Sequence, residues 1–142
     1  MNGRKPFDGS QKKFRKLLRK VGYETAIIGK WHLKSQPKGY EKHMVVKGQG
    51  KYFDPTFSGS EGTWKRKGYS TDVYTDVAMD WLKARDKKKP FLLSLQFKAP
   101  HHEYGHAARY DELLAGVLIA EPPTLYEDVH RSDSNLKKEF LK

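Results

Sequence analysis

Twice along this chain a segment of helical period stops at a glycine or a proline, and a short apolar run follows at once. In residues 11–21 the apolar positions Phe14, Leu17, Leu18 and Val21 recur at helical spacing, Ser10 can cap the start, and Gly22 can supply a left-handed end. The run Thr25-Ala26-Ile27-Ile28 comes next, short and rich in β-branched residues, as a buried strand is. The pattern returns near residue 70: Ser70 or Thr71 opens a helix to about Arg85 with Val77, Ala78, Trp81 and Leu82 on one side. Lys87-Lys88-Lys89-Pro90 ends it, and Phe91-Leu92-Leu93-Ser94-Leu95-Gln96-Phe97 reads as a second strand. Helix, strand, insertion, helix, strand is the order of an α/β fold whose parallel strands are joined by helical crossovers.

The remaining segments are less regular. Residues 34–69 lose helical period and become rich in Gly, Lys and aromatics, which predicts a long irregular insertion. A short helix is expected over residues 107–114, Glu121-Pro122-Pro123 reads as an extended linker, and residues 126–142 form a charged tail. At 142 residues the whole chain is expected to be one domain or part of one. No stretch approaches the ~20 apolar residues of a membrane span, and Met1-Asn2-Gly3-Arg4-Lys5 leads into no signal-peptide core. The chain has no cysteine, which excludes disulfides, zinc-thiolate sites and thiol nucleophiles. A formal charge of +11 favours an anionic partner without saying which.

If both strands are parallel members of one sheet, the segments leaving their carboxyl ends share an edge, where open α/β sheets place ligand sites. Those segments are Gly29-Lys30-Trp31-His32-Leu33 and Lys98-Ala99-Pro100-His101-His102. Lys30 offers a compact positive charge, and His32, His101 and His102 can move protons near neutral pH. Together they can form a cationic, proton-handling pocket for an oxyanion. Two other readings stay open: unconnected polar loop ends at the surface, and a zinc site built on His101, His102 and His106. Against the zinc site, adjacent histidines usually point apart and no His-Glu-x-x-His motif accompanies them.

The stretch from Leu18 through Gly22-Tyr23-Glu24-Thr25-Ala26-Ile27-Ile28-Gly29-Lys30-Trp31-His32-Leu33 closely resembles the second signature of the sulfatase family. Gly68-Tyr69-Ser70-Thr71-Asp72, Trp81-Leu82-Lys83, and Pro90-Phe91-Leu92-Leu93 into Ala99-Pro100-His101 resemble the family in the expected order. Lys98-Ala99-Pro100-His101 and Glu121-Pro122-Pro123-Thr124 are similar to carbohydrate sulfatases of the glucosamine-6-sulfatase and mucin-desulfating type, whereas His102-Glu103-Tyr104 departs from them. The resemblance implies a central part of an alkaline-phosphatase-like α/β domain, with a mostly parallel sheet flanked by helices. It also implies a sulfuric ester hydrolase acting on sulfated carbohydrate, with a formylglycine nucleophile and a bound Ca2+ ion.

By the same resemblance, Lys30 contacts sulfate, His32 assists the aldehyde chemistry, His101 binds sulfate and protonates the leaving alcohol, and Lys98 and His102 line the substrate pocket. Family members are usually periplasmic, extracellular or lysosomal. The family's Cys or Ser followed by x, Pro or Ala, x and Arg is absent, as are its calcium ligands. Ser132-Asp133-Ser134-Asn135 only superficially resembles a ligand segment and reads as a polar turn. An incomplete sulfatase domain is therefore expected, inactive by itself and with exposed strand edges. The competing class is a non-catalytic cationic module for sulfated glycans or, less in keeping with these motifs, nucleic acid, with Tyr52, Phe53, Phe57 and Trp64 as stacking residues.

Overall fold

The computed structural model describes residues 8 and 10–126. Helix α1 (Phe14–Lys20) leads into β1 (Glu24–Trp31); β2 (Lys42–Lys47), β3 (Thr56–Gly59) and β4 (Gly62–Lys65) follow, then α2 (Ser70–Ala84) and β5 (Phe91–Gln96). The five strands form one sheet in the order β4-β3-β2-β1-β5. β1 pairs in parallel with β2 and with β5, while β3 runs antiparallel to both β2 and β4. The expected α/β architecture with a mostly parallel sheet is thus present, with β3 the strand that runs backwards. No helix among the described residues is long and apolar enough to cross a membrane.

Period-two alternation along β1 and β2 splits the core between the two sheet faces. Ile28 and Val46 join Phe57 and the α2 residues Val73, Tyr74, Val77 and Ala78 in one cluster. Ile27 and Val45 join Trp31 in the other, with Leu33 and Tyr40 against them. Tyr74 is fully buried, edge-on to Phe57 and stacked on Phe97, so α2 is fixed to the face above β1 and β5. Strand β5 lies at the sheet's edge, with Phe91 exposed and its next four residues half-buried.

Several local expectations are corrected. Residues 34–69 are not irregular throughout: they hold β2, which pairs with β1 across a long connection, and the local β3–β4 hairpin. Helix α1 begins at Phe14 rather than residue 11, without a side-chain cap. Ser10 is engaged elsewhere, its backbone N–H and its hydroxyl each 2.8 Å from a carboxylate oxygen of Asp8. The end of α1 follows expectation, since Gly22 (φ +91°) donates to Arg19 O and Tyr23 N–H reaches Leu18 O, closing a Schellman turn.

The face of α1 that meets the protein is not the apolar one. Phe14, Leu17 and Val21 are exposed, while Arg15 is buried, donating from Nε to Lys38 O at 2.9 Å and lying over the Tyr40 ring. The guanidinium finds an acceptor and a π-face at once, which lets a cation occupy the inward position. The helix expected over residues 107–114 contracts to a single 3-10 turn at Ala108–Tyr110, followed by turns whose Leu113 and Leu114 are exposed. Without a surface to pack on, an apolar segment of this length has little to hold it helical. The charged tail falls almost wholly, and Ser132-Asp133-Ser134-Asn135 entirely, outside the described residues.

Candidate active site

Strand β1 carries the first half of the cluster. It continues through Gly29 and Lys30 to Trp31, so Lys30 lies within the strand rather than in the loop after it. Gly29 has φ +101° and pairs with Gln96 of β5; a Cβ there would stand 2.0 Å from Gln96 O. Glycine is therefore what lets the two strands meet where the site begins. Trp31 is buried and its Nε1 donates to Ser35 O, while its own carbonyl accepts from Gly48 N–H at 3.0 Å. That anchor fixes the turn bearing His32, which is exposed and shares with Lys30 a cleft of about 370 Å³ bounded by Gln96 and Phe97.

The second half leaves β5 at Phe97. The Ala99–Pro100 peptide is cis, and His101 N–H donates to Lys98 O at 3.0 Å, closing a tight turn. Lys98 is only 3% exposed, and its Nζ sits 4.7 Å from the centre of the Tyr52 ring. The Tyr52 hydroxyl donates to the carbonyl of His101. Burial, and then Tyr69, raise that hydroxyl's pKa, which keeps it a donor. Gly105 makes room for the ring, since a Cβ at that position would lie 2.7 Å from its Cγ.

Electrostatics define what the cluster can hold. The Lys30 ammonium is pushed below the usual lysine range, by burial first and by the charge of Lys98 second. Neither lysine has a carboxylate within ion-pair distance among the described residues. Two neighbouring cations without a counterion suit an oxyanion and repel a metal ion. A Ca2+ ion needs six to eight oxygen ligands, and among the described residues no group of three or more His, Cys, Asp or Glu side chains could hold a metal. The calcium implied by the family resemblance therefore does not fit this cluster.

The structure brings Lys98 and His101 to Tyr52, with Lys30 near enough to Lys98 to feel its charge and His32 in the cleft that Lys30 lines. His102 is exposed, its ring 4.8 Å from that of His101. His106 is drawn away, with Nε2 2.9 Å from Asp111 Oδ1, so the three histidines do not converge. Gly105 carries no signal in the sequence, and Tyr52 enters there only as a stacking aromatic of the competing cationic module, not as part of the sulfate pocket. Tyr52 lies 49 positions from the carbonyl it holds, and its only signal is an aromatic pair, Tyr52-Phe53, inside a lysine- and glycine-rich stretch.

A family model described as Sulfatase matches residues 5–134. The chain is 42% identical over 125 residues to an N-acetylglucosamine-6-O-sulfatase of Bacteroides thetaiotaomicron, covering 86% of this chain and 22% of that protein. Over 122 residues it is 26% identical to human N-acetylglucosamine-6-sulfatase, covering 74% of this chain and 22% of the human protein. It superposes with a TM-score of 0.82 and 41% identity on BT4656, solved in complex with its substrate D-glucosamine-2-N,6-O-disulfate, covering 87% of this chain and 26% of that one. The chain thus spans about a quarter of the length of these relatives. On the extent of the family match and the identity to a curated relative, the chain belongs to the sulfatase family.

Proposed function

We propose that this chain supplies the sulfate-holding part of a carbohydrate sulfatase, an enzyme that hydrolyses sulfate esters of sulfated amino sugars. One observation carries the reading: Lys30 and Lys98 lie close enough for their charges to interact, without a carboxylate partner, at the carboxyl edge of the sheet beside His101. The two ammonium groups offset the charge of a sulfate. His101 is the donor for the departing sugar oxygen, which leaves poorly as a free alkoxide. His32, in the cleft that Lys30 lines, completes the proton-handling set, and Lys98 and His102 border the sugar. The identities to N-acetylglucosamine-6-sulfatases support a 6-sulfated N-acetylglucosamine as the sugar class.

On this reading the formylglycine nucleophile and the calcium ion come from residues other than this cluster. The chain has no cysteine, and no serine in it is followed by the Pro-or-Ala and Arg of the family's nucleophile motif. Turnover of an aryl sulfate with calcium present is therefore expected to stay at the level of the Lys30→Ala variant. Activity above that control would overturn this division of the site.

Binding tests the reading itself. Calorimetric titration with 6-sulfo-N-acetylglucosamine is expected to show saturable binding, absent with the unsulfated sugar and weakened about tenfold or more by His101→Ala, the size of one lost charge-assisted hydrogen bond. Binding of any polyanion alike, screened by salt and indifferent to His101, would instead establish the non-catalytic cationic module.

A further inference from the structure

The cleft at Lys30 is not isolated. Trp31 and His32 are shared with a neighbouring cleft of about 450 Å³, whose far wall is Lys47 at the end of β2. Lys47 in turn lines a cavity of about 620 Å³ between β2 and the β3–β4 hairpin, larger than either cleft. Register explains the continuity. Trp31 lies opposite Lys47 across the β1–β2 pair, so the clefts step across the carboxyl edge from one strand to the next, about 5 Å at each step.

This larger cavity has its own chemistry. Lys47, Lys51 and Lys65 line it against one carboxylate, Asp54. That carboxylate is already engaged, accepting from Gly68 N–H at 2.9 Å and lying 3.7 Å from Lys65 Nζ. Its pKa is lowered by the Gly68 bond first, so it is charged at neutral pH and balances Lys65. Lys47 and Lys51 have no such partner among the described residues, which leaves two free positive charges on the rim. Thr63 and Ser58 contribute hydroxyls to the lining. Phe53, packed on one side against Tyr69 at 5.7 Å, keeps 49% of its surface open. Cations, hydroxyls and an open aromatic ring are the means of holding a charged sugar: ammonium groups for its sulfate or carboxylate, hydroxyls for its ring oxygens, and an apolar plate for its C–H face.

We infer that the Lys47–Lys51–Lys65 cavity is a second anion site, which takes a sulfate or carboxylate on a neighbouring residue of the same glycan whose scissile sulfate sits at Lys30 and His101. The inference rests on the function proposed above and deepens it. The substrate becomes an oligosaccharide with charge on more than one residue, laid along the edge from β5 towards β4, and not a single sugar. Joining the two sites through one chain makes the second contact intramolecular, which raises affinity without any change at the first.

The test compares 6-sulfo-N-acetylglucosamine, a tetrasaccharide sulfated on at least two residues, and a single-stranded oligonucleotide of equal charge, titrated at one salt concentration into the wild-type chain, Lys51→Gln and Lys51→Arg. Lys51 is exposed, so its replacement leaves the core untouched. The tetrasaccharide is expected to bind about tenfold or more tightly than the monosaccharide. Lys51→Gln is expected to remove most of that advantage, Lys51→Arg to keep it, and the monosaccharide to bind all three proteins alike. A tetrasaccharide that gains nothing over the monosaccharide overturns the inference, as does equal weakening of both sugars, or an oligonucleotide bound as tightly. Monosaccharide binding that depends on His101, with no effect of Lys51 on the tetrasaccharide, sinks the second site and spares the sulfate pocket. Lys51-dependent tetrasaccharide binding without monosaccharide binding does the reverse.

Discussion

Replacing Gly29 by alanine is expected to abolish the cooperative fold of this chain or lower its stability by about 3 kcal/mol or more. Two costs add: a side chain at φ +101° takes a conformation that costs an L-residue about 1–3 kcal/mol, and the new Cβ would be driven to 2.0 Å from Gln96 O and 2.9 Å from its carbonyl carbon. Backbone cannot swing aside as a side-chain tip can, so β5 must move off β1. Single domains are stable by only about 5–15 kcal/mol, and β5 is held on one edge alone. Gly48 is the control: its φ is +69°, but a Cβ there would meet nothing within 4 Å. Gly48→Ala should therefore cost about 1 kcal/mol. Urea midpoints of the two variants give the comparison, and equal losses would show that the β1–β5 approach is not what Gly29 permits. The displacement of β5 would also carry Lys98 and His101 away from Lys30, so any folded Gly29→Ala protein should bind sugar sulfate poorly.

The second large effect concerns charge. Lys30→Met keeps an unbranched side chain, one atom shorter, and removes its cation, and is expected to weaken sugar-sulfate binding at least about tenfold while raising stability. Both changes have one source. Lys30 is half-buried and repelled by Lys98, so its ammonium is disfavoured in the folded chain until an anion arrives. The folded protein thus releases this proton more readily than the unfolded chain. The penalty is present at neutral pH and is relieved as pH rises through the lowered value towards the ordinary lysine pKa of about 10.4. Sulfate binding runs the other way: it needs the protonated form and should fade on the alkaline side at a lower pH than a free lysine would predict. Loss of stability in Lys30→Met, read from urea unfolding, would mean that Lys30 serves packing rather than an anion.

What the sequence made legible were the features governed by near neighbours. Gly22 closes α1 because the Schellman turn is built from residues three to five apart, and Phe91–Gln96 forms a strand because apolar β-formers follow a helix stop. The shared edge of Lys30, His32 and His101 followed from parallel pairing of two strands. Long-range matters were hidden. Arg15 is in a basic run that looks like solvated helix face, yet a carbonyl and a ring more than 20 positions away draw it inward. In residues 34–69, β3 and β4 have only four residues each and β2 carries the apolar run Met44-Val45-Val46 without apolar–polar alternation, so its strand shows only where β1 offers it an edge. Tyr52 became part of the site only when the Lys98–His101 turn was laid over its ring. No local pattern marks that contact.

If the charge strain between Lys30 and Lys98 is held for an oxyanion, binding that anion must relieve it. The most direct test is the titration of the Lys30 side chain by NMR, with 13C label at Cε, in the absence and presence of saturating 6-sulfo-N-acetylglucosamine. The free chain should show Lys30 titrating below the ordinary lysine range, and the bound sugar sulfate should move it back up, because a negative charge between two ammonium groups favours the protonated form. A Lys30 pKa that starts low and stays unchanged under saturating ligand would contradict the account, since the anion would then be bound somewhere else.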